Sequence, residues 1–431
     1  MIRVESLDQE GRGVAHAGGK VIFIEGALPG ETVTYTSFHD KANFEIARVE
    51  TIIESSAARV VPRCRHFGMC GGCSLQHLDI NAQVAVKQRV LENNLWHIGK
   101  VYPGAILPAI YGQPWGYRQR ARFSARFVSK KGGVLIGFRE KRSSHVAEMT
   151  GCEVVPRRIS LLLVPLRELI GALSIRDRVP QLELAIGEGI DVLVLRALQP
   201  PTLEDANLLR QFADQYRVQF FLQLHGPESA VPFHPPQNET LYYRLPEFAL
   251  KIDFSPTDFT QINQMVNTVL VRRALALLDP LPGERIADMF CGLGNFSLAI
   301  ARQGSRVLGI EGNQRLVASA RSNAKNNGLG ALTDFLEADL FKIDRQKFSQ
   351  LGQFDRMLID PPRDGAIELI KALAEESTPS RIVYVSCNPA TLARDAAVLV
   401  HTKNYVLSAA GVINMFPHTS HVESIAVFDR Q

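Results

Sequence analysis

The sequence predicts an α/β protein, with a doubly wound, mostly parallel sheet in the C-terminal part. A small N-terminal β-barrel and an α+β middle region precede it. Three observations carry this reading. From about residue 251, short apolar runs alternate with helical stretches, the pattern of strands joined by crossover helices. Residues 1–54 instead hold short strand-like runs separated by glycine turns, as in small barrels. The chain has 431 residues, 46% of them hydrophobic, enough for about three domains with ordinary cores. The divisions fall at 1–54, 55–250 and 251–431.

Composition excludes little. A formal charge of +4 and a pI near 8.7 are mildly basic, so nucleic-acid binding has to come from local clustering. Met1-Ile2-Arg3-Val4-Glu5 lacks the charged-then-apolar layout of a leader. The apolar stretch Ile159–Ile175 is interrupted by Pro165, Arg167 and Glu168, too broken to span a bilayer. Six cysteines, four of them in the first 152 residues, suit metal or catalytic use in a reducing compartment. A cytoplasmic protein is expected.

In chain order, Val21–Ile24, Thr32–Tyr35 and Phe44–Val49 are the clearest strands of the barrel. Such barrels bind oligonucleotides or serve as bare structural modules. Cys64, Cys70 and Cys73, with Cys152 more distant, form a four-thiol set; spacing alone fits zinc and an iron–sulfur cluster equally. Between Trp115 and Arg142 lie nine basic residues against one acid, Glu140. Arg118, Arg120 and Arg122 alternate, which on a strand places them on one face. With Trp115, Tyr117, Phe123, Phe127 and Phe138 interleaved, the stretch can hold phosphates and stack unpaired bases; a solvated basic strand over a core is the plainer alternative. Pro232–Glu239 is expected to be a loop.

In the last region, Ile262, Met265, Val266, Val269 and Leu270 follow a helical period. Strands are expected at Arg285–Phe290, Arg306–Glu311, Asp334–Glu337, Asp355–Asp360, Arg381–Cys387 and Ile425–Asp429. After the first, Gly292 and Gly294 allow a turn close to a ligand, and Asn295 and the next helix supply donors. Glu311, 23 residues after Asp288, ends the second strand, where an acid accepts ribose hydroxyls; Asp339 follows the third and is placed to meet an adenine amino group. Ribose and adenine recognition without the third glycine of the dinucleotide fingerprint describes S-adenosylmethionine better than NAD. Asp360-Pro361-Pro362-Arg363 ends the fourth strand and aims a carboxylate into the same crevice. Ser386-Cys387-Asn388-Pro389 ends the fifth, with Thr391 as the expected cap of the following helix. A strand-end cysteine is ordinary packing or a nucleophile at the crevice lip. Glu423, just before the last strand, has the chemistry of a general base. His418 and His421 have no third ligand nearby in sequence and are assigned no metal.

These motifs, with Phe416-Pro417-His418-Thr419 and the run Phe254–Asn263, resemble the RNA 5-methyluridine methyltransferases; the barrel is similar to a TRAM domain of the oligonucleotide-barrel type. The cysteine set resembles that of the RumA/RlmD branch, which acts on large-subunit ribosomal RNA. The resemblance implies a Rossmann-like, S-adenosylmethionine-dependent methyltransferase domain. It assigns Gln261, Phe290, Asn295, Glu311, Asp339 and Asp360 to the cofactor, with Gln261 and Asp360 also bordering the target base. It gives Cys64, Cys70, Cys73 and Cys152 to a [4Fe-4S] cluster, and implies C5-methylation of one uridine of 23S rRNA through a covalent Cys387 adduct, with no membrane and no obligate protein partner. The alternatives are the same chemistry on another ribosomal uridine or on transfer RNA, and a non-catalytic RNA-binding assembly factor. Asn414 stands where that pattern leads one to expect an aspartate. Because uracil C5 is a poor nucleophile, the chemistry needs a thiolate to add to C6. Cys387 is therefore expected to have a pKa lowered towards neutrality, and an unstacked uridine is required.

Overall fold

The apolar runs of the last region become seven strands of one sheet: β1 (Arg285–Met289), β2 (Arg306–Glu311), β3 (Thr333–Glu337), β4 (Arg356–Ile359), β5 (Arg381–Ser386), β6 (Tyr405–Ile413) and β7 (Glu423–Arg430). In this computed structural model, which describes residues 1–236, 240–373 and 379–431, they lie in the order β3-β2-β1-β4-β5-β7-β6. The first five are parallel; β7 runs antiparallel to both neighbours. The strand order reverses beside β1, which opens a crevice at the carboxyl ends of β1 and β4, where such sheets bind ligands. Strand β6 was not foreseen, because its Ser408-Ala409-Ala410-Gly411 centre has little β-propensity; pairing with β7 imposes it. An eighth, two-residue strand, Ala105–Ile106, extends the sheet beyond β6.

The helix before β1 spans Gln264–Leu278 and buries Val266, Leu270, Val271, Ala274, Leu275 and Leu278. Met265, placed on the apolar face by its period, is exposed instead.

The N-terminal sheet runs Ile2–Arg3, Thr32–Asp40, Phe44–Glu54, Lys20–Glu25, Gly13–Ala17, Ser6–Leu7. Its two edge strands belong to one short segment, Ile2–Leu7, which pairs with Thr32–Val33 at one end and Gly13–Val14 at the other. The sheet therefore closes on itself, which removes its free edges.

The middle region contributes a six-stranded sheet with Val231–His234 as one of its two edge strands. This corrects the expected loop at Pro232–Glu239: Pro232 sits on an edge, where no ladder donor is needed. Residues 237–239 of that stretch lie outside the described residues. Arg120–Val128, the basic strand, is an inner member of the same sheet. No helix among the described residues is long and apolar enough to cross a membrane.

Candidate active site

Strand register builds the centre of the site. β5 and β7 pair through Ser386↔Ser424. Cys387 and Glu423 are the residues that flank this last pair, and the charge of Glu423 acts on the Cys387 thiol. Asp360 follows β4, next to β5, so three strand ends deliver a thiol and two carboxylates to one place. Glu423 is 4% exposed; Cys387 and Asp360 are half-buried.

Burial controls their protonation. The Glu423 carboxyl is pushed up to about 8 by burial and then by the like charge of Asp360, with Arg363 pulling the other way. Asp360 rises to about 7 through burial and the nearby Asp288. Cys387 is pushed up to about 12 by burial and by both carboxylates, which outweigh Arg363. The expected depression of its pKa is therefore wrong for the free protein: the thiol keeps its proton until the balance of charge around it changes. Arg363 donates to Nδ1 of His421 at 3.3 Å, which places the imidazole proton on Nε2. Neither Arg363 nor His421 had been singled out for this role, although the Asp-Pro-Pro-Arg motif carried the signal.

The support beneath the site is dense. Asn388, not Thr391, caps the helix Pro389–Thr402, accepting from Ala390 N; an asparagine followed by proline is the stronger start signal. The Asn388 amide and the Thr391 hydroxyl both donate to the Arg363 carbonyl. Asp395, fully buried, accepts from Ala366 N and the Tyr384 hydroxyl, both at 2.7 Å. Gly365 has φ +77°, and a Cβ there would meet Arg394, Asp395 and Thr391 at 2.7–2.9 Å. The loop carrying Asp360 and Arg363 is thus clamped to the helix that follows Cys387.

Around the crevice mouth, Phe290 takes φ +66°, a strained conformation for an aromatic. The two oxygens of Glu311 each accept a backbone N–H, from Gly292 and Asn313, at 3.1 Å, which leaves a lone pair on each for a ligand hydroxyl. Asn295 is largely engaged. Its carbonyl accepts from Tyr243 and Asn267, and its amide donates back to Asn267. Asp339 is exposed, held by Phe341 N and Lys342. Gln261 is half-buried, on a segment docked to the basic strand through Gln119 N to Ile262 O at 2.9 Å.

Cys64, Cys70, Cys73 and Cys152 line one small cavity with Phe138 and Met149. Gly72 N donates to the Cys70 sulfur at 3.3 Å. Among the described residues no three His, Cys, Asp or Glu side chains are placed to hold a single metal ion. Four thiols lining one cavity are a donor set that a [4Fe-4S] cluster and a zinc ion both use.

A cleft of about 860 Å³ runs from Arg363 and His421 between the barrel and the basic strand. Its wall carries seven arginines and lysines against three glutamates. Arg118 and Arg122 line it, with Arg118 over the Phe138 ring at 5.1 Å. Arg120 does not; its guanidinium donates to the carbonyls of Pro256 and Asp258. Phe123 and Tyr117 are buried, and only Phe138 of the five aromatics faces the cleft.

Comparison with known proteins adds to this geometry. Residues 243–431 match the family described as tRNA (Uracil-5-)-methyltransferase, and residues 1–35 match the TRAM domain. The chain is 62% identical to the 23S rRNA (uracil(1939)-C(5))-methyltransferase RlmD of Nitrosospira multiformis, covering 100% of this chain and 98% of that one. It is 56% identical to the protein of the same name from Cupriavidus necator, covering 99% of each. Among solved structures it is similar to the Pyrococcus abyssi tRNA (uracil-54, C5)-methyltransferase in complex with S-adenosyl-L-homocysteine. That match has 25% identity and a TM-score of 0.76, covering 99% of this chain and 98% of that one.

Proposed function

Because the chain belongs to the family of RlmD-type 23S rRNA (uracil-C5)-methyltransferases, we propose that it methylates C5 of one uridine in 23S rRNA, position 1939 as in the relatives' names. The observation that carries the mechanism is that Cys387 and Glu423 flank the last β5–β7 pair, with the Glu423 charge acting on the thiol. A nucleophile and a base on one side of a ring are what addition and elimination across C5–C6 require.

With its proton lost to solvent, the Cys387 thiolate adds to C6, and the C5=C6 electron pair moves towards O4, making C5 nucleophilic. S-adenosylmethionine supplies the electrophilic methyl group that C5 takes up. Glu423 then removes the C5 proton; that C–H pair re-forms C5=C6 as the C6–S bond breaks and its electrons return to sulfur. Arg363 is the cation that favours both the thiolate and the carboxylate. Glu311 suits the ribose hydroxyls and Asp339 the adenine side, with Phe290 and the turn after it bordering the ligand. Gln261 and Asp360 lie between cofactor and base, and Asn295 acts through its pairing with Asn267 and Tyr243.

The four cysteines are assigned to a [4Fe-4S] cluster that shapes the RNA-facing wall and transfers no electrons in the reaction. The basic cleft receives single-stranded or remodelled RNA, with the target uridine unstacked. A ribosomal RNA substrate goes with a cytoplasmic location.

Glu423→Gln tests the mechanism: with unmodified 23S rRNA and S-adenosylmethionine it should accumulate a covalent protein–RNA species stable to denaturation. Absence of that species would remove Glu423 as the base.

A further inference from the structure

Residues 414–422 join β6 to β7, and the ladder below them ends on Ile413↔Glu423. Whatever holds this loop therefore sets the direction from which the Glu423 side chain enters the site. Few of the loop's hydrogen bonds are its own. Most anchors come from residues 74–117, outside the core of the sheet. Ser74 N and Leu75 N donate to the His418 carbonyl at 2.9 Å, and Ser420 N donates to the Ser74 hydroxyl.

Two anchors are unusual. The helix Ile80–Asn94 directs Gln83 and Lys87, one turn apart on one face, into the loop. They are 0% and 1% exposed. Gln83 accepts from His418 N at 2.8 Å and donates to the Leu75 and Leu78 carbonyls. Lys87 Nζ donates to Asn414 Oδ1 at 2.7 Å and to the Phe416 carbonyl at 2.9 Å.

A buried ammonium ordinarily has a carboxylate partner. Lys87 has an amide and a carbonyl, and burial pulls its pKa down to about 7. The titratable groups that feel its charge, His418 and His421, are themselves pushed down to about 4, chiefly by burial. A hydrocarbon side chain of similar length would fill this space without the desolvation cost. What the amine adds is two directional bonds to the start of the loop.

We propose that Gln83 and Lys87 are positioning residues for the elimination step, holding the 414–422 loop so that Glu423 reaches the C5 proton. This rests on the covalent reading above. A base displaced by about 1 Å loses on the order of 100-fold in rate, whereas Cys387 attacks from a different strand end and meets this loop only indirectly, through Arg363 and His421.

The test separates the two half-reactions in the full-length protein, using unmodified 23S rRNA and S-adenosylmethionine. Formation and decay of the covalent protein–RNA species are timed by denaturing quench. Lys87→Met and Asn414→Leu should form it within about twofold of the wild-type rate and resolve it about 10- to 100-fold more slowly. Asn414→Asp keeps an acceptor for Lys87 and should resolve it within a few-fold of wild type. If Lys87→Met folds poorly, Asn414→Leu, which leaves the lysine in place, carries the comparison. Formation and decay falling by the same factor, or neither changing, would overturn the proposal. A species trapped by Glu423→Gln but not enriched in either variant would do so too. If Glu423→Gln also traps nothing, the covalent reading itself fails and the proposal falls with it.

Discussion

Cys387 owes its position to a strand end and its chemistry to its neighbours. The residue was legible as a nucleophile because Ser386-Cys387-Asn388-Pro389 closes an apolar run; its protonation was not. Asp360, Glu423 and Arg363 lie 24–36 residues away in sequence, and only the fold brings them to the thiol. Cys387→Ala should abolish methyl transfer and leave RNA binding within a few-fold; turnover retained in a single-turnover assay would remove the residue from the mechanism. The raised pKa of Glu423 makes a second prediction. A base is active when deprotonated, so the decay rate of the covalent protein–RNA species should climb with pH until about 8 and then level. Arg363→Met removes the cation that opposes this rise and should move the climb to higher pH. A profile already flat from pH 6 would contradict both statements.

At the scale of elements, most strands of the catalytic sheet were readable from their apolar runs, five of the six within a residue at each end. The last was read two residues late at its start, and β6 was missed because neighbours rather than propensity impose it. The cap of the helix after Cys387 was assigned to Thr391, yet Asn388 takes it and in the same stroke binds the Arg363 carbonyl. That double use is tertiary and left no local signal. It predicts that Asn388→Ala costs about 1 kcal/mol from the cap and, in addition, loosens the Arg363 loop. The change should therefore appear in both thermal midpoint and methylation rate. Gly365→Ala should be worse, about 1–3 kcal/mol from φ alone, because the added carbon also meets Asp395 and Arg394. A variant with unchanged midpoint would mean that the clamp is soft.

Over the whole molecule, the closed barrel, the cysteine cavity and the basic strand converge on the cleft that ends at Arg363. The sequence announced each as a separate region; it did not announce that Arg120 is spent on the Pro256–Asp258 carbonyls while Arg118 and Arg122 face the cleft. Alternation places side chains on a face but does not say what covers that face. Arg122→Ala should weaken binding evenly across RNA sequences and lower the salt slope by about 1, whereas Arg120→Ala should act on folding and on the Gln261 segment. Replacing Cys73 by Ser should remove iron and thiolate–iron absorption from anaerobically purified protein; absorption that was never there would return the cavity to another use. One experiment reads substrate and reaction together. The protein is incubated with labelled S-adenosylmethionine and either unmodified 23S rRNA or transfer RNA, and the modified nucleoside is mapped. The expected result is 5-methyluridine at a single 23S position and none in transfer RNA. Label in transfer RNA alone, or in neither, would contradict it.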